Sequence, residues 1–141
     1  MPSVPFHYVE LRAFAYATED EKRVVEALET FLPEETELER AESEGHYGDR
    51  IVVLSTRVEN ADEVRHVLSQ VAQMDEIDDL YDELDDRVDD NCSFFLTFDK
   101  QAAFEGEVQR GDGITLRAKV EAYPAKRENA VANAREALDA L

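Results

Sequence analysis

Lysine is scarce in this chain of 141 residues, which has four lysines and 11 arginines against 34 aspartates and glutamates, a net charge of −19. Phosphate contacts normally come from a basic surface, so the composition argues against broad electrostatic binding of nucleic acid. In molar salt the screening length falls to about 3 Å, and repulsion between surface carboxylates largely vanishes. We therefore expect a protein of a salt-rich, halophilic archaeal cytoplasm. The competing interpretation, an acidic mimic of nucleic acid, would concentrate the charge on one element.

Cysteine, glycine and histidine are also rare, and each shortage excludes a kind of site. The one cysteine, Cys92, leaves no internal disulfide and fits a reducing cytoplasm. The five glycines form no glycine-rich phosphate loop, and the three histidines are too far apart for a zinc pattern. The acidic runs at 75–79 and 85–90 lack the EF-hand spacing. We expect no metal, no cofactor and no catalytic residues, since a G-x-S-x-G motif is missing as well.

Long apolar runs are missing too. No stretch approaches the roughly 18 apolar residues of a membrane span, and the opening segment MPSVPFHYVELRA has two prolines and no apolar h-region. We therefore expect neither a membrane helix nor a signal peptide. Apolar residues still make up 43% of the chain, which at this length predicts one domain over 1–141 with a core of its own.

Alternation at period two predicts strands at 6–16, 50–58, 92–98 and 114–123, and the turn GHYGD predicts a charged partner strand at 36–44. Helical periodicity predicts helices capped by Thr18 and Asn60, a third at 77–88 and a last one from about 127. This order predicts an α+β fold, a single domain in which helices pack on one face of an antiparallel sheet. The other face of such a sheet is open to solvent.

We expect one hydrophobic core that joins the strands to the helices. Its predicted members are Leu11, Val25, Leu28, Val53, Leu96, Leu116, Val120 and Leu138.

The charge is unevenly distributed. Residues 1–99 hold 27 acids and 8 bases, whereas residues 100–141 hold 7 of each. Two explanations stand side by side: the last third needs positive charge for a function, or it is simply more buried.

In the predicted last strand, Arg117, Lys119 and Tyr123 point away from the aliphatic side chains.

Arg12 and several aromatic side chains occupy the corresponding face of the first strand. RNA bases stack on aromatic side chains that an open sheet displays. The alternative is that the aromatic side chains belong to the core and that the arginines pair with Glu10 and Glu121.

Three segments resemble an archaeal RNA-binding family, formerly a domain of unknown function, whose members are often described as predicted exosome subunits. FDKQAAFEGEV (98–108), followed by a turn and ITLRAKVEAYP (114–124), is similar to the C-terminal signature of that family. GHYGDRIVVLSTRV (45–58) resembles its central hairpin, and VPFHYVELRAFAYATED (4–20) its first strand and helix start. The resemblance implies an α+β fold similar to the ribosomal protein that contacts 5S RNA. It also implies a non-enzymatic, RNA-linked role, alone or beside an RNA-processing complex.

The matched motif positions and the sheet pattern together predict an RNA-binding site. Its residues are Arg12, His46, Arg50, Lys100, Gln101, Arg117, Lys119 and Tyr123. For Lys100 two roles are open: it reaches a phosphate or a carbonyl at a helix end, or it pairs with a nearby carboxylate and holds its turn. The alternative function is an acidic protein–protein adaptor that docks through the helix at 76–90 and does not touch RNA.

Overall fold

The computed structural model describes residues 5–45 and 48–140. This part of the chain contains five strands and five helices, joined by turns and loops. The strands are β1 (Phe6–Tyr16), β2 (Glu39–Glu44), β3 (Arg50–Val58), β4 (Ser93–Asp99) and β5 (Gly113–Val120). The helices are α1 (Glu21–Glu29), α2 (Ala61–Ala72), α3 (Ile77–Arg87), α4 (Lys100–Phe104) and α5 (Arg127–Asp139).

The strands form one antiparallel sheet in the order β2-β3-β1-β5-β4, so the first strand of the chain lies at the centre. All five helices contribute buried side chains to a single hydrophobic cluster with the strands. The predicted α+β fold, with helices packed on one face of an antiparallel sheet, is therefore confirmed.

Alternation places one face of each central strand in the core. In β1 the side chains of Val9, Leu11, Ala13 and Ala15 are buried, and the residues between them are partly or fully exposed. Strands β4 and β5 follow the same rule. Of the predicted core, Leu11, Leu28, Leu96, Leu116, Val120 and Leu138 are buried, and Val25 packs partly buried against it.

Val53 is the one wrong member of the predicted core. Strand β3 buries Val52, Leu54 and Val58 instead, and Val53 lies opposite Phe14 on the other face of the sheet. The stretch RIVVLSTRV carries apolar side chains on both faces of the strand, so its own alternation does not decide which face turns inward.

The start of helix α1 differs from the sequence prediction. Helix α1 is capped by Asp20, not Thr18, because a turn from Tyr16 to Glu19 occupies the residues before it. The Asp20 carboxylate accepts a hydrogen bond from the Lys22 backbone N–H at 3.0 Å. The cap at Asn60 is confirmed.

Strands β2 and β5 are both shorter than predicted. The hairpin of β2 with β3 is confirmed, but β2 begins at Glu39 rather than at residue 36. Strand β5 ends at Val120 rather than at residue 123, because its neighbour β1 begins at Phe6 and no strand pairs with the described residues that follow. Tyr123 therefore lies in the loop before α5.

Candidate nucleic-acid interface

The face of the sheet that the helices leave uncovered, here called the open face, carries most of the positive charge of the strands. On its three central strands stand four basic residues, Arg12, Arg57, Arg117 and Lys119. Among the described residues, Glu10 is the one acidic residue on the same face of these strands. In a chain of net charge −19, this is a local excess of positive charge.

The strand register gathers these side chains into adjacent rows. Arg57, Glu10, Arg117 and Phe95 lie directly opposite one another on β3, β1, β5 and β4. Arg12 stands in the next row towards the C-terminal end of β1, since it is two residues beyond Glu10. Directly opposed side chains on antiparallel strands are about 5 Å apart, so the members of each row are neighbours.

Lys119 lies in the row on the other side, opposite Tyr8 and Ser93. Its ammonium group donates a hydrogen bond to the Asn91 carbonyl oxygen, which fixes it at that edge of the open face.

Glu10 orients two of the guanidinium groups. Its carboxylate lies 3.2 Å from the Arg57 guanidinium and 3.6 Å from that of Arg12. The Glu10 side chain is 20% exposed, whereas about half of each arginine side chain remains in contact with solvent. One mostly buried carboxylate thus accepts a hydrogen bond from Arg57 and forms a longer ion pair with Arg12, and the outer surfaces of both arginines stay accessible.

Two arginines on the open face lie over aromatic rings. The Arg57 guanidinium carbon lies 4.0 Å from the centre of the Tyr8 ring, and that of Arg117 lies 5.8 Å from the centre of the Phe95 ring. Phe95 is 37% exposed, and Phe14 and Tyr16 also expose a large part of their rings. Phe14 and Tyr16 do not serve the core, which contradicts one part of the sequence-based alternative, that they are core aromatics. Its other part, an arginine paired with Glu10, is present for Arg12.

Lys100 and Gln101 begin helix α4 at the end of the sheet where β1 finishes. The Asp99 carboxylate caps this helix by accepting a hydrogen bond from the Gln101 N–H at 3.0 Å. The turn before β5 packs tightly on the cap, since a Cβ at Gly111 would lie 2.7 Å from the Asp99 Cβ. Gln101 is exposed, and its side-chain amide lies 3.4 Å from Glu105.

The Lys100 ammonium group is engaged within the protein. It donates a hydrogen bond to the Phe14 carbonyl oxygen at 2.8 Å and forms an ion pair with Glu19 at 2.8 Å. It also lies 5.3 Å from the centre of the Tyr16 ring, and its side chain is 18% exposed. Lys100 therefore has partners within the protein, the Glu19 carboxylate and the Phe14 carbonyl oxygen of β1, as expected for a structural role.

The ion pair changes the acidity of Glu19. Burial alone would raise the pKa of its carboxyl group, but hydrogen bonds from Lys100 and from the Tyr16 N–H, together with the Lys100 charge, outweigh it. The net effect holds the pKa of Glu19 below its ordinary value.

The surface around Lys100 is acidic rather than basic. A cleft of about 680 Å³ is lined there by four carboxylates and two basic groups. The carboxylates are Glu19, Asp20, Asp99 and Asp112, and the bases are Arg23 and Lys100. A phosphate in this cleft would meet net negative charge, in contrast to the open face.

The structure divides the predicted site residues into groups. Arg12, Arg117 and Lys119 share the open face, and Lys100 and Gln101 lie at the end of the sheet. Arg50 stands opposite Glu44 on the helix-covered side of β3, with its guanidinium 3.5 Å from Glu42. Tyr123 is 100% exposed beyond the opposite end of β5. His46 lies outside the described residues.

Arg57 is the residue of the open face that sequence reasoning missed. An orientation of β3 with Val53 inward would also turn Arg57 inward, because the two differ by an even number of positions. With Val52 and Leu54 inward, Arg57 faces out beside Glu10. The sequence did contain a sign of this role: Arg57 is the second-last residue of the predicted strand 50–58, and the C-terminal half of that strand is its more polar half.

Metal ligands and membrane helices are absent from the described ranges, 5–45 and 48–140. Within them, no three His, Cys, Asp or Glu side chains are grouped so that they could hold a metal ion. No helix in these ranges is long and apolar enough to cross a membrane.

Comparison with known proteins points to one family. A family model described as RNA binding matches residues 8–120. The RNA-binding protein PAB1135 of Pyrococcus abyssi is 36% identical over 144 residues, which covers 94% of each chain.

Two solved structures share the fold. Protein AF2318 from Archaeglobus fulgidus has a TM-score of 0.83 at 29% identity, covering 94% of this chain and 99% of that one. Mth689 from Methanothermobacter thermautotrophicus has a TM-score of 0.80 at 42% identity, covering 94% and 98%. Both are described by the family name DUF54.

Proposed function

Because this chain belongs to the RNA-binding family whose model it matches over residues 8–120, we propose that it binds RNA without catalysis, through the open face of its sheet. The name of the relative PAB1135, which aligns over 94% of both chains, supports the same function. Family membership also confirms the resemblance that the DKQ segment and the central hairpin indicated.

The observation that carries this proposal is the position of the basic residues. A protein of this net charge repels anions over most of its surface, so a group of basic residues on one face reverses that field locally. On the three central strands, the open face keeps four basic residues beside one acidic residue, in a chain with 34 acids and 15 bases. A ligand that carries negative charge explains why they remain there.

The proposal gives the predicted residues different roles. Arg12, Arg117 and Lys119 contact RNA directly, and Tyr123 extends the surface beyond the end of β5. Lys100 acts as a positioning residue, since its ammonium group already binds the end of β1 and Glu19 in the loop that follows. Gln101 and Arg50 lie at the end of the sheet where β1 finishes and contact only an RNA that continues past that end.

A finer part of the proposal concerns the cellular setting. We place this chain beside an RNA-processing complex such as the archaeal exosome, in a salt-rich cytoplasm. The similarity of residues 98–108 to a family whose members are described as predicted exosome subunits supports the association. The excess of acidic residues supports the salt-rich setting.

The test is a fluorescence-anisotropy titration of labelled RNA at high KCl concentration, with wild type and the double variant Arg12→Gln/Arg117→Gln. We expect the double variant to bind about tenfold more weakly or worse, with a salt slope that falls by about 1 for each phosphate that is no longer neutralised. The matched control is Arg135→Gln, an exposed arginine on α5 in the helix layer. Equal affinity of the double variant and wild type would remove the open face from the proposal.

A crosslinking pulldown in high salt separates this function from the adaptor alternative. An RNA-binding protein recovers RNA from native lysate, and proteins of a processing complex with it. The adaptor would be favoured if the pulldown recovered proteins but no RNA, and if neutralising the acidic surface of α3 abolished the recovery of those proteins.

A further inference from the structure

We infer that the open face takes an unpaired segment of RNA, whose bases stack on the Arg57–Tyr8 and Arg117–Phe95 pairs. This inference rests on the proposed RNA binding. It adds the class of RNA and the side chains on which the bases stack. Four observations carry it: the size of the basic area, the charge of its surroundings, the geometry of the two pairs and the exposure of the rings.

The basic area is too small for a duplex. From β3 to β5 it spans two strand spacings, about 10 Å, and from the Arg12 row to the Lys119 row about 13 Å along the strands. Domains that bind double-stranded RNA contact phosphates and 2′-hydroxyls over about 16 base pairs. An area of about 10 by 13 Å has room for only a few nucleotides.

The surroundings would repel a longer helix. Strand β2 lies beside β3 at the edge of the sheet, is exposed along its whole length and turns Glu39 to the open face, opposite Ser55. A duplex centred on the open face would carry its outer phosphates over the Glu39 carboxylate. A short single strand can leave the sheet after a few nucleotides and avoid it.

The Arg57–Tyr8 pair places a planar guanidinium group over an aromatic ring. At 4.0 Å the guanidinium group is in van der Waals contact with the ring, and Glu10 fixes its orientation from the side at 3.2 Å. The Arg57 side chain is 49% exposed. Bases splayed from single strands stack on guanidinium planes and aromatic rings in this way, whereas bases inside a duplex are already stacked on each other.

The second pair lies in the same row as Arg57, so two bases of one strand can use both pairs. Arg117 pairs in register with Glu10 on one side and with Phe95 on the other. The exposed ring of Phe95 gives the second stacking surface at the β4 edge. Stacking also suits a salt-rich solvent, because contacts with phosphates weaken steeply with salt and base stacking depends on it less.

The experiment compares a labelled RNA of about 12 nucleotides, single-stranded, with the same RNA annealed to its complement, both titrated with the full chain at high KCl concentration. Wild type is expected to bind the single strand at least tenfold more tightly than the duplex. Arg57→Lys keeps the charge but removes the planar group, so its affinity for the single strand should fall about fivefold or more with an unchanged salt slope. Phe95→Leu should act in the same direction.

Each outcome separates the inference from the proposed function. If the duplex binds as tightly as the single strand, and the variant Arg12→Gln/Arg117→Gln binds both more weakly, the proposed RNA binding stands. The inference that the RNA is unpaired is then wrong. If Arg57→Lys and Phe95→Leu bind like wild type, charge alone acts and stacking is wrong. If neither RNA binds, the proposed function itself is wrong. Thermal melting of both variants checks that they fold, which their exposed positions favour.

Discussion

The Lys100 ammonium group lies 2.8 Å from the Glu19 carboxylate, across 81 residues of chain. Together with its hydrogen bond to the Phe14 carbonyl oxygen, this ion pair ties the start of α4 to the end of β1. Phe14 and Tyr16 are part of the open face, so the contact also fixes the strand end that displays their rings. Lys100 therefore supports the candidate interface from the end of the sheet rather than as part of its surface.

Replacing Lys100 by methionine should reduce the free energy of unfolding by about 1–2 kcal/mol, because the variant cannot form two charge-assisted hydrogen bonds at a partly buried site. RNA affinity should change less than it does for variants of the open face, and that change should shrink as salt rises. Chemical denaturation at high KCl concentration measures the first effect, with Lys22→Met at an exposed position of α1 as the control. Unchanged stability together with abolished RNA binding would instead make Lys100 a direct contact.

The ion pair also predicts a pH dependence. The pKa of Glu19 is lowered in the folded state, so its ionised form contributes stability above the unfolded pKa of about 4.3, and this contribution is lost as the pH falls through the folded pKa. Glu19→Gln should therefore be less stable than wild type at neutral pH. The difference should shrink in the acidic range below the unfolded pKa. Parallel denaturation curves at several pH values measure it, and a difference that grows on acidification would contradict the assigned direction.

Much of this architecture could be predicted from the sequence because three strands have one clearly aliphatic face. In β1 and β5 that pattern fixes which residues face out, and so it places Arg12 and Arg117 correctly. Strand β3 has valines on both faces, and only its pairing with β1, where Val53 meets Phe14, decides the orientation. That ambiguity concealed Arg57.

Two other features depend on tertiary interactions that a local pattern does not contain. Thr18 and Asp20 are both suitable helix caps, and the turn between Tyr16 and Glu19 selects the second. The partner of Lys100 comes from a loop that only the folded sheet brings near. The motif indicated that Lys100 has a fixed partner, but the partner itself follows from tertiary structure.

Tyr123→Ala should weaken RNA binding about tenfold or more, since base stacking on an aromatic ring is worth roughly 1–3 kcal/mol. The side chain is 100% exposed, so the melting temperature should stay the same. Anisotropy titration and thermal melting of the same preparation test both parts. Unchanged affinity would limit the interface to the strands themselves.

Stability should depend strongly on salt. Helix α3 carries Asp78, Asp79, Asp82, Glu83, Asp85 and Asp86, and several of these acids are four positions apart, where like charges cost a few tenths of a kcal/mol per pair. Dialysis from molar to about 50 mM KCl lengthens the screening distance and restores this repulsion. Circular dichroism should show reduced helicity or an earlier melting transition. A melting temperature that is flat across this range would refute the halophilic interpretation.

The most direct test of RNA binding by the open face is photocrosslinking of the full chain to a single-stranded RNA that contains 4-thiouridine, at high KCl concentration, with crosslinked peptides identified by mass spectrometry. We expect crosslinks in β1, β3, β4 and β5, at or beside Tyr8, Arg57, Phe95 and Arg117. These crosslinks should fall when unlabelled single-stranded RNA competes. Crosslinks confined to the helix layer, on α3 or α5, would contradict the claim that the open face of the sheet binds RNA.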